Sequence, residues 1–235
     1  MRQLPLELRE NGSNWAQLLD LALPALDYAL KDRPATLANT LQKPGWTLGG
    51  GTALALRINH RISDDIDIFV AGLPLRLLVP ANNPFAMAIS ARPDWPGHYL
   101  KFHRAEGEID FLSAPLQTEP GFTLENFRGR SVALETVEEV IVKKIRYRAA
   151  QFTPRDAFDL ACCARVQPGL AAMIAREADD ALPRLRQGLG LLAGRNREAI
   201  FSQIRATAGF SGLVAEVLCL AEAVVADAME MVAKR

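Results

Sequence analysis

The most constraining stretch of this chain is Asp65-Ile66-Asp67-Ile68-Phe69-Val70, which alternates acid with apolar residue. A period of two is that of a strand with one buried face, and it throws Asp65 and Asp67 to the same side. Aspartate is disfavoured in strands, and two like charges on one face repel each other, so something must offset them. Upstream lies Leu48-Gly49-Gly50-Gly51-Thr52, after the short apolar run Trp46-Thr47-Leu48 and before the helical pattern of Ala53, Leu54, Leu56 and Ile58. The spacing predicts a strand over 46–48, a glycine turn over 49–51, a helix over 52–59 and a strand over 65–70.

Those two halves suit phosphoryl transfer. Glycines at a strand-to-helix turn let backbone N–H groups approach a triphosphate, and the helix N-terminus favours its negative charge. Two carboxylates on one strand face can hold Mg²⁺, an ion that prefers a few carboxylates plus phosphate oxygens. Gly50, Gly51 and Thr52 are the candidate phosphate cradle, and Asp65 and Asp67 the candidate metal ligands.

The rest of the chain divides in two. Residues 15–30 carry leucines at helical spacing, with Pro24 inside, and 35–42 form a second short helical pattern before Lys43-Pro44-Gly45. Residues 99–104 and 108–112 read as a strand pair around Ala105-Glu106-Gly107, and 131–134 as one more short strand. From Thr136 on the pattern is helical, with Thr153-Pro154 as cap and first residue of one helix and further apolar patterns over 170–182, 189–206 and 212–233. The expectation is an α+β fold, with a mixed helix–sheet half (1–130) followed by a helical domain (131–235) that completes the active-site cleft.

Charge balance excludes a protein that binds nucleic acid through overall charge, since 27 basic side chains meet 27 acidic ones. A local surplus exists: between 128 and 155 stand Arg128, Arg130, Lys143, Lys144, Arg146, Arg148 and Arg155 against Glu135, Glu138 and Glu139, seven minus three. That is a footprint for triphosphate or RNA backbone, or a solvated helix face. No apolar run approaches the ~20 residues of a spanning helix. Cys162, Cys163 and Cys219 show neither disulfide nor zinc spacing, so a reduced, cytoplasmic protein without a membrane partner is expected. His60, His98 and His103 have no metal spacing and receive no catalytic role.

Two blocks carry a family resemblance. Leu48 to Leu56 with His60-Arg61-Ile62-Ser63-Asp64-Asp65-Ile66-Asp67-Ile68-Phe69 is the first. The second is Glu139 to Arg148 with Arg155-Asp156-Ala157-Phe158-Asp159-Leu160-Ala161. Together they resemble the AbiEii/AbiGii toxin family of nucleotidyltransferases, in the DNA polymerase β-like superfamily. The resemblance implies a polymerase-β-like core with a mixed sheet, Mg²⁺ as cofactor and a nucleoside triphosphate as substrate. It implies transfer of a nucleotide to an acceptor hydroxyl, that of the tRNA 3′ end, by the toxin of a toxin–antitoxin pair with a cognate antitoxin as partner.

Site roles follow from the same resemblance. Asp65 and Asp67 hold metal, a lysine (Lys143 or Lys144) contacts phosphate, and Asp156 is a further functional acid. Lys144 lies three and four residues after Ile141 and Val140 and shares their inward face, which favours it. Asp156 at the third helical position also suits simple capping. Asp110 is the candidate third carboxylate, for metal or for deprotonating the acceptor, unless its strand lies solvated at a sheet edge. Arg61 and Ser63 could touch phosphate or orient Asp65. The alternatives are a protein or small-molecule acceptor, or a catalytically silent nucleotide-binding or partner-binding module of the same fold.

Overall fold

A computed structural model describes residues 5–9, 12–32 and 44–235. The helical pattern over 35–42 falls outside the described residues. The chain divides into two compact units: residues 1–56 with 63–136, and residues 57–62 with 137–235.

The first unit is built on a six-stranded mixed sheet. Its strands are β1 (Thr47–Gly49), β2 (Ile66–Phe69), β3 (Tyr99–Arg104), β4 (Gly107–Leu112), β5 (Phe122–Phe127) and β6 (Arg130–Glu135), in the order β3-β4-β2-β1-β6-β5. β2 is parallel to β4 and antiparallel to β1, β1 is parallel to β6, and the two outer pairs are antiparallel hairpins. Alternation sorts β2, β3 and β4 cleanly. Ile66, Ile68, Leu100, Phe102, Ile109 and Phe111 are all fully buried. Asp67, Lys101 and Asp110 alternate with them and take the opposite face.

Helix α1 (Trp15–Leu30) packs on β2 and β4, burying Leu18, Leu19, Ala22, Leu23 and Leu26. The helix runs unbroken through Pro24, which lies on its exposed side, where the missing backbone N–H and the ring meet solvent. Between β1 and β2 in sequence comes α2 (Gly50–Ile58), which starts directly at the end of β1. A short helix, α3 (Pro84–Ile89), packs on α1. Asn83 caps α3, accepting from the N–H groups of Phe85 and Ala86, both at 3.1 Å, while its own amide donates to Ala25 O at 2.9 Å.

Beyond the 57–62 segment, the second unit is helical: α4 (Val137–Arg148), α5 (Pro154–Val166), α6 (Leu170–Glu177), α7 (Leu182–Ala193), α8 (Arg197–Phe201) and α9 (Val217–Ala233). α9 packs against α5, α6 and α7 and forms the centre of this unit. The expected helix over 189–206 is instead the end of α7, a break at Gly194 and the short α8. Residues 59–62 are strapped to 205–207: Ile62 N donates to Arg205 O at 2.9 Å, Thr207 N to His60 O at 3.0 Å, and Thr207 Oγ1 to Asn59 O at 2.6 Å. The fold is therefore α+β, with a mixed sheet followed by a helical C-terminal part, as the sequence predicts. Among the described residues no helix is long and apolar enough to cross a membrane.

Candidate active site

Register sets the acids. Across the sheet, Gly49 stands opposite Asp67, Asp67 beside Asp110, and Asp110 opposite Lys101. Two carboxylates thus sit abreast on adjacent parallel strands. Asp110 responds strongly: burial first, and the Asp67 charge second, push its carboxyl up to about 6, against the pull of Lys101. Its Oδ1 is buried and has no hydrogen-bond partner among the described residues. A buried carboxylate oxygen left bare beside a second carboxylate is the environment a divalent cation relieves, and the donor set fits Mg²⁺.

The glycines leave room for acids. Gly50 opens α2 at φ +63°, a conformation that L side chains rarely adopt, and a Cβ there would overlap the Asp67 carboxylate. A Cβ on Gly49 would overlap the carboxylate of Glu135. Glu135 is fully buried and accepts from Thr47 Oγ1 at 2.6 Å. Nothing local in the sequence at the end of β6 marks Glu135, and its place beside the glycines emerges only from the fold.

Asp65 lies one residue ahead of β2, and its Oδ1 accepts from the N–H of Glu108 at 3.0 Å. Thr52 is fully buried, and its hydroxyl donates to the carbonyl of Asp65. It therefore ties α2 to the entry of β2. Gly51 and Ser63 are buried as well. Among the described residues no group of three or more His, Cys, Asp or Glu side chains is gathered closely enough to hold a metal ion. Asp65, Asp67 and Asp110 thus form no closed cage, and oxygens from the substrate would have to complete the coordination of an ion held here.

The remaining sequence-predicted residues lie in the second unit, and all but Lys143 belong to a charge network centred on the buried Asp159. Asp159 Oδ1 accepts from His60 Nε2 and from Arg61 Nε, both at 2.7 Å, and Oδ2 from Arg61 at 3.1 Å. Lys144 Nζ reaches Asp156 Oδ1 at 2.6 Å and Asp159 Oδ2 at 3.2 Å. Burial opposes the Asp159 charge, yet the Arg61 and Lys144 cations hold its carboxyl well below the usual range. Burial likewise opposes the charge on Lys144, and Asp156 and Asp159 outweigh it, so its pKa is raised. Asp156 also closes a reciprocal capping box with Thr153: Asp156 N donates to Thr153 Oγ1 at 3.2 Å, and Thr153 N to Asp156 Oδ2 at 3.0 Å. Asp156 thus carries the Lys144 ion pair on Oδ1 and the cap on Oδ2; of the two expectations, functional acid and cap, the cap is present. Lys143 is buried and lies 3.1 Å from Glu139.

Lys101 is a residue that sequence reasoning misses. Its Nζ lies 3.0 Å from Asp110 Oδ2 and also donates to Glu108. A two-residue turn between β3 and β4 is the signal that sets Lys101 opposite Asp110.

The site thus sets paired carboxylates on a mixed sheet beside a glycine bend that opens a helix. Residues 35–208 match the family described as "Nucleotidyl transferase AbiEii toxin, Type IV TA system". The chain belongs to this family, and it is an enzyme that transfers nucleotides. No curated protein matches it. Among solved structures it is similar to a provisionally assigned nucleotidyltransferase from H. pylori, with 16% identity, TM-score 0.46, and 94% of this chain and 98% of that one covered. It is also similar to JHP933 from Helicobacter pylori, with 16% identity, TM-score 0.44, and 94% and 95% covered. A third likeness is to a STING-associated CdnE c-di-GMP synthase from Capnocytophaga granulosa, with 10% identity, TM-score 0.25, and 91% and 83% covered. The family assignment stands on the sequence match alone.

Proposed function

We propose that this chain moves an NMP from an NTP to the hydroxyl at the 3′ end of tRNA, with Mg²⁺ held by Asp67 and Asp110 and assisted by Asp65. The observation that carries this reading is the Asp67–Asp110 pair: two abutting carboxylates, one with a bare buried oxygen, beside a residue that must be glycine.

In the proposed reaction the acceptor oxygen forms a bond to the α-phosphorus. The bond from that phosphorus to the bridging oxygen breaks, and pyrophosphate leaves. Asp110, abreast of Asp67 on the neighbouring strand, is suited to take the hydroxyl proton. Gly50 and Gly51 let backbone N–H groups reach phosphate oxygens. Thr52 acts by holding the Asp65 backbone. What a divalent cation supplies there is neutralisation of charge on the phosphoryl oxygens.

Of the two candidate lysines we assign the phosphate role to Lys144, whose charge two carboxylates preserve. Arg61, bidentate on Asp159, and Ser63, buried with its carbonyl beside the Thr52 hydroxyl, take supporting roles. The family description supports a further reading of this enzyme as the toxin of a pair with a cognate antitoxin.

The test is incubation with each α-labelled NTP and total tRNA. Label at tRNA 3′ ends, lost on removal by a 3′ exonuclease, is expected. Label on protein or on a small molecule instead would replace the acceptor, and absence of transfer from all four NTPs to any acceptor would overturn the reading.

A further inference from the structure

The two oxygens of Asp110 live in different worlds. Oδ2 is 3.0 Å from the Lys101 ammonium, whereas Oδ1 is buried with no hydrogen-bond partner among the described residues. Lys101 is itself fixed from behind. Its ammonium also donates to Glu108 Oε2. Glu108 Oε1 accepts from His103 Nδ1 at 2.9 Å, and His103 Nε2 donates to Asp94 Oδ2 at 2.8 Å. Carboxylates beside both ring nitrogens, Asp94 foremost, raise the His103 pKa and favour its protonated form. The backbones of Asp94 and Lys101 are joined by two hydrogen bonds, both 2.9 Å. A chain of alternating charge therefore runs Asp94, His103, Glu108, Lys101, Asp110, ending on the carboxylate that adjoins Asp67.

We propose that Lys101 is a positioning residue for nucleotidyl transfer: by tying Oδ2 it fixes the plane of the Asp110 carboxylate and presents Oδ1 to the cation or to the acceptor proton. A carboxylate turns about its last torsion over a broad, shallow profile, so an untied Asp110 beside Asp67 would swing away from its neighbour's charge. The ammonium stops that swing, and offsets part of the Asp67–Asp110 repulsion before substrate arrives. It also has a cost. A cation at 3.0 Å from Asp110 competes for the charge that a divalent ion needs.

Opposite effects on binding and turnover follow, and they form the test. The inference rests on the assignment of Asp67 and Asp110 as the reacting carboxylates, so the full-length chain is compared with Lys101→Met, Lys101→Arg and the double variant Asp67→Asn/Asp110→Asn. Mn²⁺ binding is measured by electron paramagnetic resonance without nucleotide, and NTP turnover under steady state. Lys101→Met is expected to bind Mn²⁺ about threefold to tenfold more tightly, since a nearby positive charge is gone. Its kcat is expected to fall about tenfold or more, with KM for NTP nearly unchanged, because an ill-placed group slows only the chemical step. Lys101→Arg restores most of kcat. A folding defect would weaken binding and turnover together, so that outcome, or a Lys101→Met kcat within twofold of wild type, overturns the proposal. If the double variant keeps both Mn²⁺ binding and turnover, the assignment of the two carboxylates fails first, whatever Lys101 does.

Discussion

Replacing Gly50 with alanine adds one methyl group to a place where two independent constraints forbid it. The backbone sits at φ +63°, where an L residue costs roughly 1–2 kcal/mol more than glycine. In a chain of this size, at roughly 2–4 °C per kcal/mol, that alone lowers Tm by about 2–8 °C. The second constraint is functional. The new Cβ overlaps the Asp67 carboxylate, which must retreat by roughly 1 Å or more, and a displacement of that size costs about a hundredfold in rate. Gly50→Ala is therefore expected to retain its fold with a modestly lower Tm by scanning fluorimetry, and to lose about two orders of magnitude in kcat for transfer of labelled NMP. Gly190→Ala is the control. Gly190 lies in α7, and a Cβ there would meet nothing within 4 Å among the described residues, so alanine should raise stability by about 0.5–1 kcal/mol through helix propensity and leave turnover unchanged. If Gly50→Ala keeps near-normal turnover and Tm, then neither the strained turn nor the carboxylate beside it has the importance argued here.

Asp110→Asn tests the repulsion between the acids. A carboxyl raised to about 6 in the fold, against about 4 unfolded, contributes stability below pH 4 that is lost as pH rises through 6. Without metal at pH 7–8, the asparagine variant is expected to have a Tm about 2–4 °C higher, the shift given by about 1 kcal/mol, while turnover is abolished. Asp159→Asn tests the network of the second unit: it leaves buried Arg61 and the largely shielded Lys144 short of a counter-charge and is expected to cost about 3–5 kcal/mol in urea unfolding. The Asp159 carboxyl is held well below its usual value, so its stabilisation is complete above about pH 4 and lost as pH falls below that. Wild-type Tm should drop steeply below pH 4, and that of the variant, already low, less steeply.

What the sequence makes legible is local. Gly50-Gly51 and Asp65-Ile66-Asp67 can be read because a glycine run and a period of two each betray their geometry within a few residues. Boundaries differ by one or two positions: β1 takes in Gly49, α2 begins at Gly50, and β2 excludes Asp65. β5 escapes the sequence reading. Its burial does not alternate, and its hairpin turn is Arg128-Gly129, both at positive φ, where asparagine or aspartate before glycine is the recognisable signal. Lys101 is hidden by a shift of one residue in the neighbouring hairpin. A turn of 105–107 leaves its partner undefined, whereas the actual turn of two residues puts it opposite Asp110. The network around Asp159 lies beyond local reading altogether. Among the partners of Asp159 are His60 and Arg61, nearly a hundred positions earlier, together with Lys144.

The most direct test of the central assignment is pyrophosphate release with NTP and tRNA by wild type and by Asp67→Asn. Asp67 stands between Gly49 and Asp110 in the register row, so its amide should fold normally, give an unchanged circular dichroism spectrum, and release pyrophosphate at least about a thousandfold more slowly, in keeping with the loss of about 4 kcal/mol of transition-state stabilisation. Release by the folded variant at a rate within about tenfold of wild type would contradict the account.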